Sequence, residues 1–190
     1  MAIDRGRIEA AVAELLAAIG EDVTRSGLQQ TPARVAESYE EFFGGLALDA
    51  AEPLRESVPL GESEAETVLL RDVHFRSMCE HHLLPFLGVA HLAYLPRDRV
   101  VGLGRLAKVV EILAARPQLQ ERLTEEIADT IVDALDPRGV LVVLDAQHAC
   151  VTTRGAHQTD ASTVTIASRG ELGDPVARAE LITLIGRGVA

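Results

Sequence analysis

The chain has two cysteines, and each stands among histidines: Cys79-Glu80-His81-His82 in one place and His148-Ala149-Cys150 in the other. Thiolate and imidazole donors in this mixture form the ligand set of zinc, closed by four protein ligands in a structural site and by three plus water in a catalytic one. If both clusters serve one ion, the fold must bring two segments distant in sequence to a single point. Two plainer readings compete. Cysteine packs as a small, inert hydrophobe, and a Cys79–Cys150 disulfide would need an oxidising compartment, for which the sequence gives no sign. Three of the six histidines lie within three residues of the only two thiols, which favours a metal.

The 190 residues, 47% of them hydrophobic, suit one sizeable core with a small helical extension. The N-terminal Met-Ala-Ile-Asp-Arg-Gly-Arg does not resemble a signal peptide, and no apolar run is long enough to span a membrane, so a cytoplasmic protein is expected. With 29 acidic against 18 basic residues, a net charge of −11 argues against nucleic acid or an anionic membrane as general partner. A small anion would need a local cluster of arginines, since Lys108 is the single lysine.

Helical periodicity predicts a first amphipathic helix after Asp4, with Ile8, Val12, Leu15 and Ile19 on one face and Gly20 as its stop. Thr31 as N-cap and Pro32 at the first helical position predict a second, running to Gly44-Gly45. Residues 46–66 read as a connector. Strands are expected over 68–75 and 88–95, placing the first metal motif on the loop between them. Leu103, Leu106, Val110 and Leu113 predict a helix, and Pro117 is expected to start another carrying Leu119, Leu123, Ile127 and Ile131. The apolar run 139–145 reads as a buried strand that delivers His148 and Cys150 beyond its end, followed by a strand over 162–168 and a helix opened by Asp174-Pro175. This order suggests an α+β domain with an antiparallel sheet, with residues 1–66 as N-terminal helical region and connector and 67–190 as the domain that carries both metal motifs.

The motifs Ser77-Met78-Cys79-Glu80-His81-His82-Leu83-Leu84-Pro85-Phe86, Ala93-Tyr94-Leu95-Pro96, Gln118-Leu119-Gln120-Glu121-Arg122-Leu123-Thr124 and His148-Ala149-Cys150 with Arg154-Gly155 resemble GTP cyclohydrolase I, in order from about Thr31 to Gly170. The resemblance implies the tunnelling fold: an antiparallel sheet with helices packed on one face and an N-terminal helical extension. It also implies sheets joined into a barrel by self-association into a toroidal homo-oligomer, a decamer in the family. The implied reaction is hydrolysis of GTP at guanine C8, loss of formate and rearrangement to 7,8-dihydroneopterin triphosphate, the first step of folate biosynthesis.

By the same resemblance Cys79, His82 and Cys150 bind one Zn2+ per subunit, leaving an open position where bound water is acidified towards pH 7. His81 and His148 match the proton-transferring histidines, an imidazole being able to give or take a proton near neutrality; the plain reading is that they only orient the ligands beside them. Gln120 and Glu121 match the guanine-reading pair, a carboxylate accepting from N1–H and the exocyclic amine together, where a Gln-Glu-Arg string alone would read as solvated helix surface. Arg105, Lys108 and Arg154 match triphosphate-binding positions, the first two sharing a helix face.

The chain departs from the family pattern on that side. Gly104 stands where a serine near the ribose is usual, Arg105 and Lys108 exchange basic types, Glu37 stands where bacterial members often carry lysine, and Gln158 and Ala161 replace Lys and Ser. Two further readings therefore stay open: a paralogue that opens the purine ring but differs in later steps or phosphate preference, and a non-catalytic purine- or pterin-binding oligomer with structural zinc.

Overall fold

The structure, a computed structural model, describes residues 3–61 and 66–186. Two helices come first. Helix α1, Arg5–Ala18, is capped by the Asp4 carboxylate, which accepts from the Arg7 amide at 3.0 Å. Helix α2 is Thr31–Phe43. Its N-cap is Gln30, not Thr31, and no side chain caps it: Pro32 occupies the first turn, where its missing N–H costs nothing. The residues of the predicted apolar stripe of α1 join no buried core among the described residues. None of the helix is buried, with Leu15 61% and Ile19 70% exposed.

The connector holds two short 3-10 turns and a three-residue strand, β1 (Ser57–Pro59), paired with β4 (Arg99–Val101). The main sheet has five strands in the order β5-β2-β3-β6-β7, with β2 Val68–Cys79, β3 Pro85–Leu95, β5 Pro117–Gln118, β6 Gly139–His148 and β7 Thr163–Gly170. All pairings are antiparallel except β2 with β5. β2 and β3 outrun their predicted limits because both ladders continue through the metal-motif end: Met78 pairs with Pro85, and Phe86 pairs with His148. Pro117 opens no helix. It and Gln118 pair with Met78 and Cys79, the Gln118 carbonyl accepts from the Glu80 amide, and the helix begins three residues later.

Helices α3 (Leu103–Ala114) and α4 (Gln120–Leu135) cover one face of the sheet. Their buried stripes, Leu106, Val109, Val110 and Leu113 on α3 and Leu123, Ile127 and Ile131 on α4, meet Phe86, Ala90, Leu92, Tyr94, Val140, Val142 and Leu144 in one core. A short helix α5, Ala149–Thr152, follows β6 directly. Helices are expected on one face of the sheet, but the last helix, α6 (Pro175–Gly186), lies on the other, where Leu181 and Leu172 cover Ala93, Leu141 and Val143. The rest of that face carries exposed Leu87, Val164 and Ile166.

Topology explains why the two metal motifs meet. β2 and β6 both run antiparallel to β3, so they are parallel to each other and their C-terminal ends reach the same edge of the sheet. One ends on Cys79 and the other on His148.

Candidate metal centre and active site

The ligand loop folds back on Cys79. Its amide donates to the Leu84 carbonyl at 2.9 Å, and its own carbonyl accepts from the amides of Leu83 at 2.8 Å and His82 at 3.3 Å. Closing this turn puts Leu83 at φ 50°, a left-handed conformation that a branched side chain adopts at a cost, so the loop is held by its surroundings. Arg122, one turn into α4, supplies one such restraint: its guanidinium pairs with the Glu80 carboxylate at 2.5 Å and donates to the Pro117 carbonyl and to Gln118 Oε1, both at 3.1 Å. Gln118 in turn donates to the Leu113 carbonyl and to Glu126. The loop is thereby tied to both core helices.

Cys150 lies in α5, two residues after β6 ends at His148. As a result one ligand atom each from Cys79, His82 and Cys150 falls within 4.8 Å of the others, with Cys79 buried, Cys150 half-buried and His82 exposed. The Cys79 Sγ to His82 Nδ1 distance is 3.8 Å. Neither thiol is in a disulfide. Burial, followed by the adjacent Cys79 thiol, pushes the Cys150 thiol up. Two sulfurs and one imidazole nitrogen, with one member open to solvent, fit a three-ligand zinc site.

His148 is held on two sides. Its ring stacks on Phe86, 4.5 Å between centroids and 3° from parallel, and its Nε2 lies 2.7 Å from Gln120 Oε1. Burial pushes its pKa down, against a smaller upward pull from the Glu121 carboxylate. His81 is exposed, its ring edge-on to that of His82 at 6.1 Å. Arg154 lies near enough to Cys150 to favour its thiolate.

Of the pair expected to read guanine, only Glu121 faces outward. It lies in the first turn of α4 and borders a cavity of about 440 Å³ with Arg122, Thr124 and Thr165. Gln120 is 1% exposed, and its amide is engaged by protein partners on β6, β7 and His148. The helical spacing carried a signal for this: Gln120 is three residues before Leu123 and seven before Ile127, on the buried stripe. Nothing in the sequence announced the Phe86 stack or the Arg122–Glu80 clamp, which depend on strand register.

Arg105 and Lys108 are not brought to this cluster. They lie about 14 and 9 Å back along α3 from Ala114, the end that leads into the strand beside Cys79, at 1.5 Å per residue. Arg105 donates to the Pro53 carbonyl at 3.1 Å and pairs with Glu56, and Lys108 pairs with Glu111 at 2.7 Å. Glu37, Gln158 and Ala161 are exposed, and a side chain at Gly104 would meet open space.

The family model for GTP cyclohydrolase I matches residues 8–186. GTP cyclohydrolase 1 of Leifsonia xyli subsp. xyli is 64% identical over 187 residues, covering 98% of each chain. The Thermoanaerobacter pseudethanolicus protein of the same name is 52% identical, covering 96% of this chain and 97% of its own, and that of Bacillus subtilis 51%, covering 97% of each. A crystal structure of the archaeosine synthase QueF-Like in the apo form is similar over 57% of this chain and 97% of its own, at 17% identity and a TM-score of 0.46. A family match over nearly the whole chain, relatives alike from end to end and a cluster of two cysteines and a histidine where the motifs meet place this chain in the GTP cyclohydrolase I family.

Proposed function

We propose that this chain is a zinc-dependent GTP cyclohydrolase that hydrolyses guanine C8, releases formate and forms 7,8-dihydroneopterin triphosphate. The observation that carries this reading is the convergence of Cys79, His82 and Cys150 beside a histidine locked in place, His148. Zinc bound by these three residues would supply an acidified water and a Lewis acid.

The remaining work falls to side chains. His148, neutral at physiological pH because burial lowers its pKa, can accept a proton as the purine ring opens and return it as formate leaves. Exposed His81, adjacent to the ligand His82, is the second proton carrier. Glu121 presents a carboxylate to the N1–H and exocyclic amine of guanine, a donor pair adenine lacks. Arg154, close to Cys150, meets phosphate from the same chain.

Arg105 and Lys108, away from the cluster within one chain, serve a triphosphate bound at the site of a neighbouring copy. That supports self-association into the ring-shaped oligomer expected of the family. Residues 67–190 carry all ten assigned site residues, and 1–66 serve packing and assembly. Among the described residues no helix is long and apolar enough to cross a membrane, in keeping with a cytoplasmic enzyme of folate biosynthesis.

Incubating the zinc-loaded protein with GTP, and measuring formate together with the fluorescence of the oxidised pterin, tests the proposal. Both products are expected. Formate alone would favour the paralogue reading, which the open, side-chain-free position at Gly104 makes specific, and neither product would reduce the chain to a binding module.

A further inference from the structure

The Gln120 side chain is enclosed, and its four contacts determine which way round the amide lies. Nε2 is 2.7 Å from the Thr163 carbonyl, 3.3 Å from the Leu144 carbonyl and 3.1 Å from Thr165 Oγ1. Carbonyl oxygens only accept, so the NH2 end must face β6 and β7, and Oε1 must face His148. The hydroxyls agree: Thr124 donates to the Gln120 carbonyl at 2.7 Å, leaving Thr165 to donate to Thr124 at 2.6 Å while accepting from Gln120. Oε1 can only accept, so the His148 Nε2 at 2.7 Å must carry the hydrogen. The neutral ring then keeps its lone pair on Nδ1. Stacking on Phe86 sets the plane of the ring, and the Gln120 Oε1 acceptor selects the orientation that places Nε2 against it.

We infer that Gln120 is a positioning residue for His148: its Oε1 accepts from Nε2–H and so holds the imidazole as that tautomer, and Gln120 does not itself read guanine. The inference rests on the proposed GTP reaction for its kinetic consequence, but the tautomer itself does not depend on that reaction. In this arrangement α4 performs two tasks with adjacent residues. Glu121 faces outward to the base, and Gln120 faces inward to connect the histidine with strands β6 and β7.

Two measurements test it. In zinc-loaded protein labelled with 15N-histidine at neutral pH, the His148 signal, identified by its loss in His148→Ala, is expected to show a protonated Nε2 and an unprotonated Nδ1. The reverse tautomer would overturn the inference whether or not the protein turns over GTP. Kinetically, Gln120→Asn keeps the amide but shortens its reach, and Gln120→Met removes it. With zinc still stoichiometric, either variant is expected to lower kcat for formate release about 10- to 100-fold, the range of a lost proton-transfer geometry, with KM for GTP changed by less than about threefold. In a His148→Ala background the same substitution should cost less than about threefold more. A raised KM with kcat retained, or an undiminished loss in that background, would return Gln120 to the base. Should Gln120→Met fail to fold, Gln120→Asn and the tautomer measurement decide. No formate from the unsubstituted protein would instead count against the proposed function, leaving the tautomer as the deciding result for Gln120.

Discussion

The ligand cluster depends on single side chains whose removal has separable effects. Cys150 contributes one of three donors, and two remaining ligands do not retain zinc against dilution. Cys150→Ala is therefore expected to abolish both zinc content and formate release while leaving the circular dichroism of the fold unchanged; stoichiometric zinc in the variant would refute the ligand assignment. A second residue acts on stability. His91, 7% exposed on β3, accepts from the Asp72 amide through Nδ1 at 3.3 Å, at a β-bulge where Asp72 has φ 58°. Burial pushes its pKa below the usual 6.5, Arg71 adds to this, and Asp72 and Asp145 oppose it. The neutral form is thus favoured in the folded state, so the stability it contributes is present above pH 6.5 and lost as pH falls through the lowered folded value. Thermal melts of the parent should fall more steeply between pH 7 and 5 than those of His91→Gln; parallel curves would count against the assignment.

The elements show which sequence signals were local and which were not. α3 and α4 were legible from their apolar stripes, and β6 from its unbroken apolar run, because each pattern repeats the geometry of its own element. The boundaries at Thr31 and Pro117 were misplaced for a shared reason: proline permits a helix start without requiring one, and at Pro117 the pairing with Met78 prevailed. The end of the sheet that carries the site depends on close strand contact. An added Cβ at Gly88 of β3 would come within 2.0 Å of the Asp145 carbonyl and 2.6 Å of Ala146 Cβ on β6. Gly88→Ala should force β3 from β6 beside the Phe86–His148 pair, destabilising the protein by about 3 kcal/mol and lowering formate release beyond what the melting temperature accounts for. An unchanged chemical denaturation midpoint would show that the strands separate without cost.

At the scale of the molecule, the chain leaves surfaces that a lone copy does not use. α1 exposes Leu15 and Ile19, and the sheet face beyond α6 exposes Leu87, Val164 and Ile166. Together with the separation of Arg105 from the metal cluster, this leads to a complementation experiment. Cys150→Ala and Arg105→Ala are each expected to be inactive alone. Co-expressed, they should regain roughly a quarter of parental activity, as expected of two chains mixing at random, because some sites then draw an intact cluster and an intact Arg105 from different copies. No recovery would mean that each site is built within one chain.

What the sequence determined by itself were properties written in neighbouring residues: the donor chemistry of the two Cys-His motifs, the helix and strand periods, the acidic balance and the motif order of a family. What only the tertiary structure decided were relations between distant residues. That Cys79 and Cys150 meet follows from β2 and β6 both pairing antiparallel to β3, and a strand's pattern does not state its neighbours. That Gln120 faces His148 while Glu121 faces outward follows from the rotation of α4 on the sheet, since adjacent helical residues point about 100° apart.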